Sequence, residues 1–211
     1  MAYDLEEQEQ LDAIKGWWSD NGKLVMLAVA ACLIAFAAFY GWRYYSAQQA
    51  ERAATLYSQL GEAQRTNDSK RVRDIAAEIT DKYGSTQYAG MAALAAAKAD
   101  VSTGELDGAK KNLQWTVEHA KDEEMRDVAR LRLAGVLLDE KKYDDALKLL
   151  SAKSTDAYAM LYADARGDVL AAQGKPAEAR AAYQQALEKS DAGSRYRALI
   201  EIKLDALGEA K

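Results

Sequence analysis

The chain has 211 residues and a mass of 23.1 kDa, with 49% hydrophobic and 29% charged residues. This composition supports a packed core and predicts one ordinary domain with an appendage. A single cysteine, Cys32, excludes a disulfide scaffold, and a single histidine, His119, excludes a zinc site built from cysteine and histidine. The net charge of −5 argues against a nucleic-acid partner. Alanine is abundant and proline occurs once, which favours α-helix.

Residues 1–23 form an acidic leader, which we predict to be a short amphipathic helix. Leu11, Ile14 and Trp18 are spaced at i, i+3 and i+7 and give one apolar stripe that would lie at the membrane surface. The alternative is a disordered tail. We expect a turn at Asn21-Gly22. Six acids oppose Lys15 and Lys23: Asp4, Glu6, Glu7, Glu9, Asp12 and Asp20.

Residues 24–42 (LVMLAVAACLIAFAAFYGW) carry no charge and are long enough, as a helix, to cross a bilayer. A buried core helix is the first alternative, and the aromatic residues at both ends argue against it because they resemble an interfacial belt. A cleaved signal peptide is the second, and the long acidic leader argues against that. We therefore predict an uncleaved anchor in the lipid bilayer. The aromatic residues are Trp17, Trp18, Phe39, Tyr40, Trp42, Tyr44 and Tyr45.

Small residues on this segment predict a face that packs against another membrane helix. Ala31, Ala35 and Ala38 lie at i, i+4 and i+7, and Gly41 follows at the end of the segment. Such residues let transmembrane helices approach closely. The alternative is that alanine serves here only as a permissible apolar residue. The basic residues on the two sides of the segment are equal in number, so charge alone does not set its orientation.

From residue 43 onward the chain is predicted to be helical, and it contains an internal repeat. Three stretches share the pattern of a turn followed by a helix start, and each is preceded by a helix with a small residue twelve positions before an aligned alanine. The spacing between aligned alanines is 37 and then 33 residues. The small pairs are Ala97/Ala109, Ala134/Ala146 and Gly167/Ala179.

These pairs resemble the tetratricopeptide repeat, a 34-residue helix pair whose small residues let the two helices cross closely. The resemblance implies an all-α fold, in which a single N-terminal transmembrane helix is followed by a tetratricopeptide-repeat-like α-solenoid. We assign residues 43–66 to a helical stalk or first degenerate repeat helix and residues 67–211 to the repeat domain. Within that domain, 194–207 is expected to form a capping helix. The alternative is a generic alanine-rich bundle.

The leader, Ile14-Lys15-Gly16-Trp17-Trp18, the single membrane helix ending at Gly41-Trp42-Arg43 and the repeats together resemble the YfgM family, the ancillary subunits of the bacterial SecYEG translocon. The resemblance covers the whole chain in order. It implies a single-pass inner-membrane protein with a cytoplasmic N-terminus and a periplasmic C-terminal domain. It also implies association with SecYEG, with the periplasmic chaperone PpiD and with unfolded or newly exported proteins.

The first helix of each repeat lines the concave face of such a solenoid, so the residues there are candidates for partner binding. Alignment of the three units gives an apolar patch edged by two cations, followed by two acids. A face of this kind suits an apolar or helical segment, with the charges setting its orientation. The alternative is that the leucines pack between helices. The candidates are Met91, Leu94, Lys98, Val128, Leu131, Arg132, Leu161, Asp164 and Asp168.

Sequence motifs for catalysis are missing from the chain. It has no P-loop, no Gly-x-Gly-x-x-Gly and no Gly-x-Ser-x-Gly, and His119 is interpreted as a solvated residue near a helix end. We therefore expect no enzymatic activity, no cofactor and no metal. Two functions remain open. One is a membrane-tethered scaffold beside a secretion channel, and the other is an accessory subunit or adaptor of a periplasmic enzyme or assembly complex, for example in cytochrome biogenesis.

Overall fold

The computed structural model describes residues 2–191 and 193–208, with side chains described from residue 7 onward, so the predicted leader acids Asp4 and Glu6 lie outside the described side chains. The described residues contain nine α-helices and one short 3-10 helix, Asp156–Tyr158, and no strand. The helices are α1 (Ala2–Arg65), α2 (Ser69–Tyr83), α3 (Gln87–Thr103), α4 (Leu106–His119), α5 (Glu123–Asp139), α6 (Tyr143–Leu150), α7 (Ala159–Ala172), α8 (Pro176–Glu188) and α9 (Arg195–Ala206).

The chain divides into two compact units, Met1–Gln48 and Gln49–Lys211. The first is the N-terminal part of α1, and it contains a stretch long and apolar enough to cross a membrane. Its large apolar side chains are exposed, as those of a lipid-facing helix are. The turn predicted at Asn21-Gly22 is wrong, because both residues lie within α1. The Asn21 side-chain amide donates to the Trp17 carbonyl oxygen at 3.1 Å, which is compatible with helix.

The second unit begins with the C-terminal part of α1, which acts as the first helix of a repeat. Ala53, Leu60 and Ala63 are buried, and Leu60 and Ala63 belong to one cluster with Val72 and Ile79 of α2. Residues 49–65 therefore serve as the first degenerate repeat helix rather than as a free stalk. The cluster continues through the alanines of α3.

Small residues are buried at each of the three predicted helix crossings. Ala97 and Ala109 bring α3 against α4, Ala134 and Ala146 bring α5 against α6, and Gly167 and Ala179 bring α7 against α8. At Gly167 the approach is so close that an added Cβ would lie 2.3 Å from the Tyr183 ring. The all-α repeat architecture is thus confirmed.

The turns between the two helices of each repeat share one backbone conformation. Asn67, Gly104, Lys141 and Gly174 all have φ between 55° and 80°, in the left-handed region. They are separated by 37, 37 and 33 residues, which matches the spacing of the aligned alanines. Residues with a Cβ adopt this region at a cost, so glycine suits it best. The series extends the repeat to four units, the first formed by α1 and α2.

Side-chain caps fix where several helices start. Asp68 accepts a hydrogen bond from the Arg71 amide at the start of α2, and Asp122 accepts one from the Met125 amide at the start of α5, each at 3.0 Å. Such caps satisfy backbone N–H groups that have no partner within the helix. α8 begins instead at Pro176, whose fixed φ suits a first helical position.

The repeat helices form two layers. Each helix from α2 to α9 contacts the next, and in addition α3 contacts α5 and α5 contacts α7. Contacts of that extent are missing between α4 and α6 and between α6 and α8, all of which are fully described. In a curved two-layer array the helices of the concave layer lie closer together, so α3, α5 and α7 line the concave face.

Candidate functional site: the groove between α3 and α5

The concave layer contains a cavity of about 540 Å³ between α3 and α5, which we call the α3/α5 groove. Ala97, Leu113 and Val136, all at least 91% buried, contribute apolar surface to it. Val101 lines it as well and is 48% exposed, which is unusual for a large apolar side chain in the repeat unit. The groove therefore presents apolar surface to solvent.

Two cations from the predicted set line the groove. Lys98 of α3 and Arg132 of α5 are both exposed and line the same cavity. Neither makes an ion pair within the described part of the chain, whereas Lys110 and Arg130 nearby are paired with Glu140 and Asp127. Asp139 lines the cavity as well, so its lining has two cations and one acid. The excess of positive charge beside apolar surface favours a partner that combines acidic and apolar groups.

Gly135 opens the groove, and the sequence analysis missed it. A Cβ added there would meet nothing within 4 Å, so the glycine leaves empty space in the cavity lining. Glycine inside a helix is destabilising by about 0.5–1 kcal/mol relative to alanine, so helix stability does not account for it. The signal is in the sequence: the 37-residue spacing that relates Met91 to Val128 and Leu94 to Leu131 places Gly135, and not Arg132, at the position of Lys98.

Met91 lines a second cavity, of about 580 Å³, at the opposite ends of α3 and α5. Met125, Gly90 and Trp115 line it too. An added Cβ at Gly90 would lie 2.3 Å from the Met125 sulfur, so a larger residue there would require the Met125 side chain to shift. Met91 is two helical turns from Lys98, and Met125 is two turns from Arg132, so these pairs share a helix face. The two cavities therefore occur at both ends of one inter-helix gap.

The predicted leucines are not free surface residues. Leu94 and Leu131 are half-buried and pack against the core cluster that includes Leu133 and Tyr162. Val128 and Leu161 are also half-buried and line neither cavity. The apolar contribution to the groove comes instead from residues one or two turns further along α3 and α5, such as Val101.

The two predicted acids of α7, Asp164 and Asp168, are already bound by a lysine of the same domain. The Lys203 ammonium of α9 lies 2.9 Å from both Asp164 carboxylate oxygens and 2.8 Å from Asp168. Asp168 also accepts a hydrogen bond from the Tyr183 hydroxyl at 2.8 Å. We therefore remove Asp164 and Asp168 from the candidate surface, because the Lys203 ammonium and the Tyr183 hydroxyl already bind their carboxylate oxygens.

Burial and pairing shift the pKa values of this cluster. Burial raises the pKa of Asp164, and the Lys203 ammonium only partly offsets it. For Lys203 burial acts to lower the pKa, but the hydrogen bonds to Asp168 and Asp164 outweigh it and the pKa is raised. Burial and the hydrogen bond to Asp168 raise the pKa of Tyr183. The cluster is therefore an internal ion pair that ties α7 to α9.

A buried carboxylate joins the α5/α6 repeat to the α7/α8 repeat. Asp127 of α5 is 1% exposed and accepts hydrogen bonds from the Thr155 amide at 2.8 Å, the Thr155 hydroxyl at 2.9 Å and the Tyr162 hydroxyl at 2.8 Å. Burial opposes ionisation, but these donors outweigh it and lower the pKa of Asp127. Burial and the bond to Asp127 raise the pKa of Tyr162 to about 12. Asp127 thus positions α7 relative to the groove.

Outside these clusters, His119 is the titratable group that the sequence singled out. The His119 ring stacks on Trp115 with centroids 4.8 Å apart, and its Nδ1 lies 3.0 Å from the Trp115 carbonyl oxygen. Among the described residues, no group of three or more His, Cys, Asp or Glu side chains could hold a metal ion. The α3/α5 groove is therefore the candidate binding site.

Comparison with known proteins agrees with this architecture. The family model described as a tetratricopeptide repeat-like domain matches residues 15–209. A protein named "Ancillary SecYEG translocon subunit" from Neisseria gonorrhoeae is 34% identical, over 98% of this chain and 100% of the relative. A protein of the same name from Escherichia coli is 30% identical, over 95% of this chain and 96% of the relative. The chain therefore belongs to the tetratricopeptide repeat-like family of ancillary SecYEG translocon subunits.

Proposed function

We propose that this protein is a membrane-anchored interaction scaffold that associates with the SecYEG translocon and links exported proteins to periplasmic chaperones such as PpiD. The names of its relatives support the translocon association. The resemblance of the whole chain to the YfgM family supports the link to PpiD. Residues 24–42 cross the inner membrane, the leader 1–23 is cytoplasmic, and the repeat domain is periplasmic.

The observation that carries the proposal is the α3/α5 groove. It combines apolar surface with Lys98 and Arg132, which have no ion pair in the described residues. A segment that inserts an apolar side chain and carries acidic neighbours satisfies both features. Burial of the apolar side chain supplies affinity, while the cations orient the segment. Folding clients and chaperone helices both contain such segments.

The membrane helix contributes a second contact surface. Ala31, Ala35, Ala38 and Gly41 are exposed on α1 and have the spacing of a close-packing helix face. We propose that this face contacts a membrane helix of the translocon complex. The variant Ala35→Leu should insert normally but co-purify with less of the membrane partner, and Ile34→Leu is the matched control. Unchanged co-purification would limit the segment to anchoring.

The groove is tested by filling it. Gly135→Trp places a large ring in open space, and Gly135→Ala is the matched control because its Cβ also meets no atom within 4 Å. The full chains are expressed in cells that lack the parent protein and purified in mild detergent. We expect Gly135→Trp to capture several-fold less chaperone and client protein than the parent, and Gly135→Ala to capture as much as the parent.

A photo-crosslinking residue at Ser102, which is exposed and lines the groove, identifies what is captured. Crosslinks to translocon subunits, to the chaperone or to exported chains support the scaffold. Crosslinks to a periplasmic assembly enzyme would contradict it, and so would equal capture by Gly135→Trp and the parent.

A further inference from the structure

The last helix of the solenoid, α9, is apolar on two faces. Its inner face contributes Ile200, Leu204 and the adjoining Leu207 to the C-terminal core cluster. On its outer side, Tyr196, Leu199 and Ile202 are 53%, 46% and 65% exposed. Among the described large apolar side chains of the repeat unit, only Val101 of the groove is exposed in the same way.

This outer face is unusual for the end of a solenoid. A terminal repeat element needs a polar outer face to keep the array soluble, and a helix that is apolar all round is normally buried. In α9, Arg195, Leu199, Ile202 and Ala206 lie at i, i+4, i+7 and i+11, so they form one straight stripe. The stripe has the seam spacing of a helix that packs against another helix.

Charges at the two ends of the stripe select the partner. Arg195 is exposed at the N-terminal end, Asp205 is exposed at the C-terminal end, and neither makes an ion pair within the described residues. Ten residues of helix separate them by about 15 Å, so they do not pair with each other within one chain. An antiparallel copy of the same helix brings each next to the other, and its dipole also runs in the favourable direction.

We propose that the outer face of α9 is a self-association surface, on which a second copy of this chain packs its own α9 in antiparallel orientation. The two-fold axis passes midway between Leu199 and Ile202. Leu199 then lies opposite Ile202 of the second copy, and Arg195 lies opposite Ala206 and beside Asp205 of the second copy. The interface is self-complementary, as two-fold symmetry requires.

The contact area is small, so the pair needs a high local concentration to form. α9 has 12 residues, and two such helices bury less than the roughly 1,200 Å² typical of stable complexes. In dilute detergent the association is therefore weak. Chains anchored in one membrane share a raised effective concentration, which favours the pair. This step depends on the proposed anchor, but the pairing geometry does not.

Disulfide trapping tests the orientation. In a Cys32→Ser background, full chains carrying Arg195→Cys are mixed with full chains carrying Ala206→Cys in proteoliposomes. In the antiparallel pair these two positions face each other, whereas each lies about 16 Å along the axis from its own counterpart, beyond disulfide reach. We expect a mixed disulfide to form at least tenfold faster than either homodimer. Faster homodimer formation would indicate a parallel pair and would overturn the proposal.

Charge reversal tests the partner's identity. Energy transfer between donor- and acceptor-labelled full chains, labelled at Gln184→Cys in the Cys32→Ser background, measures association in proteoliposomes. We expect Arg195→Asp and Asp205→Arg each to weaken association at least about threefold, and the double variant to restore it. Arg71→Asp, a charge reversal on α2, is the matched control and should have no effect.

A third variant separates the apolar face from the charges. Leu199→Asp with Ile202→Asp changes only exposed residues, so its circular dichroism should match the parent, while its energy transfer should fall to background. Undiminished transfer with a normal spectrum would overturn the proposal. Weakening by both single reversals without rescue by the double variant would also overturn it, because α9 would then bind a different helix.

Discussion

The gap between α3 and α5 and the gap between α7 and α9 use the same repeat position in opposite ways. The 37- and 33-residue spacing aligns Lys98, Gly135 and Asp168 on α3, α5 and α7, and Lys203 of α9, beyond the last repeat, contacts Asp168. In the first gap Lys98 lies beside a glycine, so the charge is unpaired and a cavity remains. In the second gap Asp168 lies 2.8 Å from Lys203, and its charge is paired.

The difference shows that access to a concave face is decided by pairs of neighbouring repeats. Lys98 and Asp168 are both charged residues on first helices, and each alone predicts a binding residue. Only the residue that faces it from the following concave-side helix shows whether the charge is free to bind a partner. Variants at these positions should therefore fill the open gap, remove the ion pair of the second gap, or weaken the contact that links the two regions.

The largest expected effect comes from the carboxylate that links the two regions. Asp127→Ala leaves the Thr155 amide and the Tyr162 hydroxyl without their acceptor. Because buried donors without partners cost about 1–3 kcal/mol each, we expect the free energy of unfolding to fall by about 3 kcal/mol. Urea denaturation of the full chain in detergent measures this, and a loss below about 1 kcal/mol would contradict it.

The same comparison has a defined pH dependence. The pKa of Asp127 is lowered in the folded state from its ordinary value of 3.8. A carboxyl group with a lowered pKa contributes stability above its unfolded pKa, and that contribution is lost as the pH falls through the folded pKa. The difference between the parent and Asp127→Ala should therefore be full above about pH 4 and shrink in stronger acid.

A glycine in each region provides a matched pair of opposite sign. Gly167→Ala drives a Cβ into the Tyr183 ring, and overpacking of this kind costs about 1–3 kcal/mol. Gly135→Ala meets open space and should stabilise the helix by about 0.5–1 kcal/mol. Melting temperatures should move in opposite directions. Two shifts of the same sign would show that the open and closed gaps are not distinct.

Removal of the cation breaks the ion pair of the second gap. Lys203→Met leaves Asp164 and Asp168 close together without the ammonium that binds them. Because the ion pair is partly exposed, we expect a loss of about 1 kcal/mol in the free energy of unfolding at pH 7. The pKa of Lys203 is raised above 10.5, so this contribution is full below pH 10.5 and is lost as the pH rises through the folded value. A difference that persists in strong alkali would contradict the assignment.

The smallest effect is expected at the turn between the two gaps. Lys141 has φ of 60°, a conformation that is strained for any residue with a Cβ, whereas Gly104 and Gly174 occupy the equivalent turns. Lys141→Gly should raise the free energy of unfolding by about 0.5 kcal/mol, since relief of strain exceeds the added entropy of the unfolded chain. Calorimetry of the full chain measures it, and Lys175→Gly, which is also exposed, is the control.

The sequence predicted the architecture because small residues at fixed spacing determine how the helices cross. Ala97, Ala134 and Gly167 are all buried at these crossings. Lys98 and Arg132, two of the residues predicted for the concave face, line the groove, and their role in binding stays a prediction. The first repeat lacks the small pair, so the sequence identified it only in part. Its evidence is structural: the left-handed backbone at Asn67 and the packing of Leu60.

The rest of the site depends on contacts that a repeat pattern does not contain. Lys203 lies in α9, beyond the last repeat, so its pairing with Asp164 and Asp168 has no counterpart in the aligned units. Leu94 and Leu131 pack against the core. A small rotation of either helix decides whether such a side chain faces the core or the concave surface, and the sequence does not fix that rotation. Gly135 was missed because a position without a side chain does not suggest a binding role, although it creates the space.

The hydrogen bond from the Thr155 amide to Asp127 has a consequence for motion as well as for stability. Each repeat contacts mainly its neighbours, so the solenoid can open from its ends in steps. The Thr155 amide is protected by a carboxylate of the preceding repeat, not by its own helix. Its hydrogen exchange therefore reports the separation of α7–α9 from the groove. If the Thr155 amide exchanges at the same rate as the amides of α9 and faster than those of α5, then α7–α9 open together before α5 does.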